Sequence, residues 1–149
     1  MPITARLSVL LVLIGLLACS AQQADDPRMI VGPQEVAPPS ELALLMRHMA
    51  ALADSVKIGL ARGDKELPPF PTEIEKLLTA TPTMDMHIDP ITFPTFGKDY
   101  QAKVAALYAA ARKDRPQAYN ALVQSCANCH GTHCPGPLMR IKKMYVAVE

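Results

Sequence analysis

A chain of 149 residues is long enough for one domain with a modest core. Its 15 Lys plus Arg against 14 Asp plus Glu leave a formal net charge of +1, so no whole-molecule field points to nucleic acid or any other strongly charged partner. There is no Trp and only 4 Tyr and 3 Phe, the apolar half is mostly Ala, Leu and Met, and the 14 prolines fall almost entirely between periodic segments, a composition that predicts packed helices.

At the amino terminus, Arg6 is the only charge before an apolar run over residues 7–18 that stops at Cys19. So short a run, ending in small residues, predicts a signal sequence over 1–18 rather than a membrane-spanning helix. Leu16-Leu17-Ala18-Cys19 resembles a bacterial lipobox. That resemblance implies cleavage before Cys19, diacylglycerylation of its thiol and, usually, a third acyl chain on the new amino terminus. Ordinary cleavage within residues 20–22, without lipid, is the alternative. Several buried acyl chains would anchor the protein firmly, where a single myristoyl gives only marginal binding. Ser20 at the next position resembles the outer-membrane sorting choice, so the expected location is the periplasmic side of the envelope, tethered to the outer membrane. Loss of residues 1–18 removes Arg6 and leaves a formally neutral chain.

Residues 19–39 hold Asp25-Asp26-Pro27, Gly32-Pro33 and Pro38-Pro39 without a sustained period, which predicts a tether. The domain is expected over 40–149. Ser40 is a plausible N-cap and Glu41 suits the positive end of a helix. Leu42, Leu45, Met46, Met49, Leu52, Ala53, Val56 and Leu60 follow as one stripe at spacings of three and four, and Gly63 stops it. A first helix is therefore predicted over 41–62. His48, about 200° round that helix from Met46, is expected to face solvent.

A proline-rich connection follows, then a short helix capped by Thr72 and carrying Glu73, Ile74, Leu77 and Leu78. Residues 81–96, with Pro82, Pro90 and Pro94 and no period, predict a long loop. Residues 97–113 predict an Ala-rich helix with Tyr100, Val104, Leu107, Tyr108 and Ala111 on its apolar side. Pro116 fits the first turn of the last helix, which turns Tyr119, Leu122, Val123 and Cys126 inward. The tail carries Arg140, Lys142 and Lys143 with Ile141, Met144, Val146 and Val148, a pattern that leaves helix and extended arm open.

That last helix ends in Cys126-Ala127-Asn128-Cys129-His130, the C-x-x-C-H spacing of a c-type haem attachment site. The two thiols add across the haem vinyl groups as thioethers, and the adjacent imidazole ligates iron. Positions i, i+3 and i+4 share a helical face, so all three side chains can address one porphyrin. The alternatives are a redox dithiol or half of a zinc site completed by His133 and Cys134. With Cys19 lipidated and Cys126 and Cys129 bound to haem, Cys134 is left without a partner, and its simplest role is that of a small buried hydrophobe beside the porphyrin edge.

Four helices with C-x-x-C-H on the last resemble the class II c-type cytochromes, the four-helix-bundle group that includes cytochrome c′. The resemblance spans about residues 40–134. It implies an all-α four-helix bundle with one covalent haem c, ligated by His130 on one face. In low-spin members a Met from the first helix binds the other face, which implies Met46, with Met49 as the alternative. His87, Met139 and Met144 are more remote choices, the last two because the tail would have to wrap round the haem. The implied function is single-electron transfer between redox protein partners at the membrane, without enzymatic turnover, with Arg140, Lys142 and Lys143 as a small basic rim or simply a solvated face. The rival is a five-coordinate, cytochrome c′-like protein that binds NO or CO on an open face. Relatives of this class often pair through the first helix, so a homodimer is among the assemblies implied.

Overall fold

Local chemistry sets both ends of the first helix, α1 (Glu41–Arg62). Ser40 is extended, and its hydroxyl oxygen accepts the Ala43 N–H at 3.1 Å, satisfying one of the donors that a helix start leaves open. At the other end Gly63 adopts φ +73°, which lets its own N–H and that of Asp64 close back onto the Leu60 and Gly59 carbonyls. Between these caps Leu42, Leu45, Ala53 and Val56 are buried along one stripe, while His48 is exposed as predicted.

The computed structural model describes residues 37–86 and 88–148. The predicted signal segment, Cys19, most of the tether and His87 therefore lie outside the described residues. Those described are all-α, with no strand among them and no helix long and apolar enough to cross a membrane.

The predicted short second helix is a 3₁₀ segment, Thr72–Leu78. Pro71, not Thr72, stands at its cap position, and Ile74 and Leu77 are its buried anchors. Helix α2 (Thr92–Ala109) starts five residues before the predicted boundary and so takes in the end of the expected loop. Asp89 explains the early start. Its Oδ1 accepts from the Ile91 and Thr92 N–H groups and from the Thr92 hydroxyl, at 2.7–3.0 Å. Pro94 then falls in the first turn, where a missing N–H costs nothing.

A short turn (Arg112–Asp114, 3₁₀) joins α2 to α3 (Arg115–His133), and the pair packs along its length as a helical hairpin. Tyr100, Val104 and Leu107 of α2 meet Tyr119, Leu122 and Val123 of α3 in the core, with Val56 of α1. Each such side chain, fully removed from water, stabilises the fold by about 1.5–3 kcal/mol.

The tail is neither a long helix nor a free arm. One helical turn, α4 (Leu138–Ile141), leads into an irregular strap held back against the domain. The Tyr119 hydroxyl donates to the Met144 carbonyl at 3.1 Å. Asn120 pairs with Val146 twice, donating to its carbonyl at 2.9 Å and accepting its N–H at 3.0 Å. From α1, Asp54 binds Arg140 at 2.6 Å and Lys57 donates to the Lys143 carbonyl. Ile141 and Met144 are buried as a result.

Candidate haem site

The inward face of the last two turns of α3 opens on a cavity of about 220 Å³. Ser125, Cys126, Cys129 and His130 form one wall, as the i, i+3, i+4 spacing requires. Met46, Arg47, Met49 and Ala50 of α1 form another, and Phe93, Phe96, Gly97 and Tyr100 of α2 a third. Leu77 of the 3₁₀ segment and the strap residues Pro137, Arg140, Ile141 and Met144 complete it. Gly97 matters to this shape: a Cβ there would stand 2.5 Å from the Leu78 Cδ2 atom, so the glycine allows the 3₁₀ segment to approach.

The end of α3 orients His130. Cys134, the residue after the helix, turns out of helical geometry and its carbonyl lies 2.9 Å from the His130 Nδ1 atom. A carbonyl only accepts, so Nδ1 carries the proton and Nε2 keeps its lone pair for a metal. Holding the second ring nitrogen in this way is the usual means of fixing a metal-binding imidazole. Pro135 and Pro137 follow directly and prevent the helix from continuing through this turn.

None of Cys126, Cys129 and Cys134 is in a disulfide. Burial, with the nearby Cys129 adding to it, pushes the Cys126 thiol up to about 12. Burial also raises Cys129, and the neighbouring Cys134 raises it further. Both thiols are therefore held neutral, unlike the acidic nucleophile of a redox dithiol. Among the described residues no three His, Cys, Asp or Glu side chains converge to hold a metal ion. A haem iron needs no such cluster, because the porphyrin supplies four of its bonds.

The donor set fits a haem c. Two thiols and an imidazole with an available Nε2 share one wall, thioether sulfurs stand on α1, and most of the remaining lining is apolar. Met46 and Met49 both line the cavity, and both are half-buried. Met144 joins them because the strap does wrap inward, a placement its sequence pattern left open. Met139 is exposed. Phe93 and Phe96 were hidden in the expected loop; their only sequence signal was an apolar pair three residues apart before Gly97.

His133 points elsewhere. Its Nε2 lies 3.3 Å from the Thr92 hydroxyl, and its ring meets the edges of Phe93 and Phe96 at centroid distances of 5.7 and 5.8 Å. Because the Thr92 hydroxyl already donates to Asp89, it accepts from His133, tying the end of α3 to the start of α2. Cys134 is half-buried, and its backbone carbonyl, through the bond to His130, has the clearest role. Comparison with protein-family models, with curated proteins and with solved structures yields no match to this chain.

Proposed function

We propose that this protein is a monohaem c-type cytochrome with the layout of the class II group, carrying single electrons between redox proteins at the periplasmic face of a lipid-anchoring membrane. In this reading the 3₁₀ segment and the three long helices make up a reduced four-helix bundle, and Cys19 carries the lipid. The observation that bears most weight is the convergence of Cys126, Cys129 and a His130 with protonated Nδ1 on one cavity wall.

Cys126 and Cys129 would hold the haem group, each thiol S–H adding across one of its vinyl substituents to give a thioether. His130 would supply Nε2 as an iron ligand, its ring held in place by the bond to the Cys134 carbonyl. Met46 of α1 would be the second protein ligand, with Met49 the alternative. Phe93, Phe96, Leu77 and Ile141 would present apolar walls to the haem. A haem c bound here supplies a one-electron iron couple, whose potential a Met ligand raises relative to two imidazoles.

Production with periplasmic haem attachment tests the proposal. The expected product shows c-type visible bands that stay with the polypeptide through acid–acetone extraction. Oxidised protein should show the long-wavelength charge-transfer band of a thioether–iron bond, and Met46→Ala should abolish it while Met49→Ala leaves it. The opposite pattern moves the ligand to Met49. Absence of that band from the parent protein, with high-spin ferric bands and ready CO uptake, would replace electron transfer by the open-face, gas-binding reading. A colourless product would refute both.

A further inference from the structure

The cavity has a chemical polarity that the attachment motif does not explain. Of the residues lining it, only Arg47 and Arg140 carry a permanent charge, and both charges are positive. They come from segments far apart in sequence, α1 and the strap, so local sequence cannot have paired them. Asp54 places Arg140 on the side of α1 that carries Arg47. It lies seven residues after Arg47, two helical turns or about 10 Å along the axis, and so on the same side of α1. Its carboxylate holds the Arg140 guanidinium at 2.6 Å. A second tie, from Lys57 to the Lys143 carbonyl, fixes the strap along the same helix. One acidic group thus stands among several cations, and the flank keeps a positive excess beside largely apolar walls.

A body that fills such a cavity is apolar over most of its surface and doubly anionic along one edge. We infer that Arg47 and Arg140 form the carboxylate end of the site, each pairing with one propionate of the haem, while Cys126 and Cys129 hold the vinyl edge. This rests on the proposed haem c and goes beyond it by fixing which way round the porphyrin sits. Two guanidinium groups suit the task because each is permanently charged and presents a planar pair of donors to a carboxylate. Like charges on one cavity also repel one another, and two carboxylates between them turn that repulsion into attraction. The strap then has a definite job: it delivers Arg140 as well as closing one wall.

The test uses the holoprotein and its midpoint potential as a function of pH. Paired with arginine, both carboxylates stay ionised from about pH 5 to pH 8, and the potential is flat over that range. The other titratable groups at the cavity are Tyr100, whose burial raises its pKa, and Cys126, Cys129 and His130, which are engaged by the haem; Asp54 is paired with Arg140. Arg47→Gln and Arg140→Gln should each lower the potential, because an uncompensated anion favours ferric iron. Each should also make the potential fall with rising pH as one carboxylate titrates within the range. Arg47→Lys and Arg140→Lys should restore most of the flat profile. Lys142→Gln and Lys143→Gln, close in sequence but outside the cavity lining, should leave it unchanged.

A merely structural role for the arginines would not create a titration. Flat profiles in both Gln variants would overturn the inference while leaving the haem assignment standing, and the visible spectrum reports that assignment separately. If Arg140→Gln prevents the holoprotein from forming, Arg47→Gln, which removes no bond to the strap among the described residues, decides the matter alone.

Discussion

Replacing Tyr119 by Phe probes whether the strap is bound to α3 as one unit. The Tyr119 ring is fully buried and a Phe ring fills the same space, so the change removes only the hydroxyl that donates to the Met144 carbonyl at 3.1 Å. A neutral hydrogen bond contributes about 1 kcal/mol net, and a carbonyl left buried without its donor brings the loss to about 2 kcal/mol. In a domain of this size that lowers Tm by about 5–10 °C. Asn120→Ala removes the double pairing with Val146, two residues further along the strap. The Val146 peptide is only half-buried and regains water, so that loss is about 1 kcal/mol. Because both changes release the same short segment, the double variant should lose less than the sum of the two, by about 0.5 kcal/mol or more. Thermal and urea melts of the holoprotein, followed by circular dichroism, measure all three. A Tyr119→Phe variant within about 0.3 kcal/mol of the parent, or strictly additive losses, would refute this account of the strap.

Cys126→Ala and Cys129→Ala should each leave a single thioether, visible as a shifted pyridine haemochrome spectrum, and the double variant should release its pigment to acid–acetone. Pigment retained by the double variant would exclude both sulfurs as the attachment points. Hydrogen bonds from the Thr92 N–H, the Thr92 hydroxyl and the Ile91 N–H hold the Asp89 carboxyl below its ordinary 3.8. Its stabilisation is therefore complete above that value and disappears as pH falls through the depressed one. Asp89→Asn should be the less stable form in urea at about pH 7, and the gap should shrink as pH is lowered below the ordinary carboxyl value; a gap that does not change with pH would contradict this assignment. Gly63→Ala places a side chain at φ +73° and should cost about 1 kcal/mol in the same melts, with no change in the visible spectrum. An unchanged melt would mean that the left-handed cap contributes nothing to holding α1.

How far the site could be read in advance depends on whether its signals are local. Ser40, the three-and-four stripe and Gly63 bound α1 at the residues predicted, because a cap, a period and a left-handed stop all act within a few residues of where they are written. The same holds for Cys126, Cys129 and His130, whose common face follows from helical rotation alone, and for Met46 and Met49 on the inward side of α1. The start of α2 was missed because its signals conflict. Pro90 and Pro94 read as breakers, whereas Asp89 reaches over Pro90 to cap the helix and Pro94 sits in the one turn that tolerates it.

Sequence alone therefore determined the all-α character, the first helix and the motif face, since each rests on the bonding and rotation of neighbouring residues. Only the tertiary structure decided where the tail goes. Tyr119 and Asn120 reach Met144 and Val146 across separations of 25 and 26 residues, and Asp54 reaches Arg140 across 86. Those bonds carry Met144 and Arg140 to a cavity otherwise built from the three long helices and the 3₁₀ segment. No periodicity within residues 138–148 could specify that, because the partners that hold the strap lie on other elements, α1 and α3.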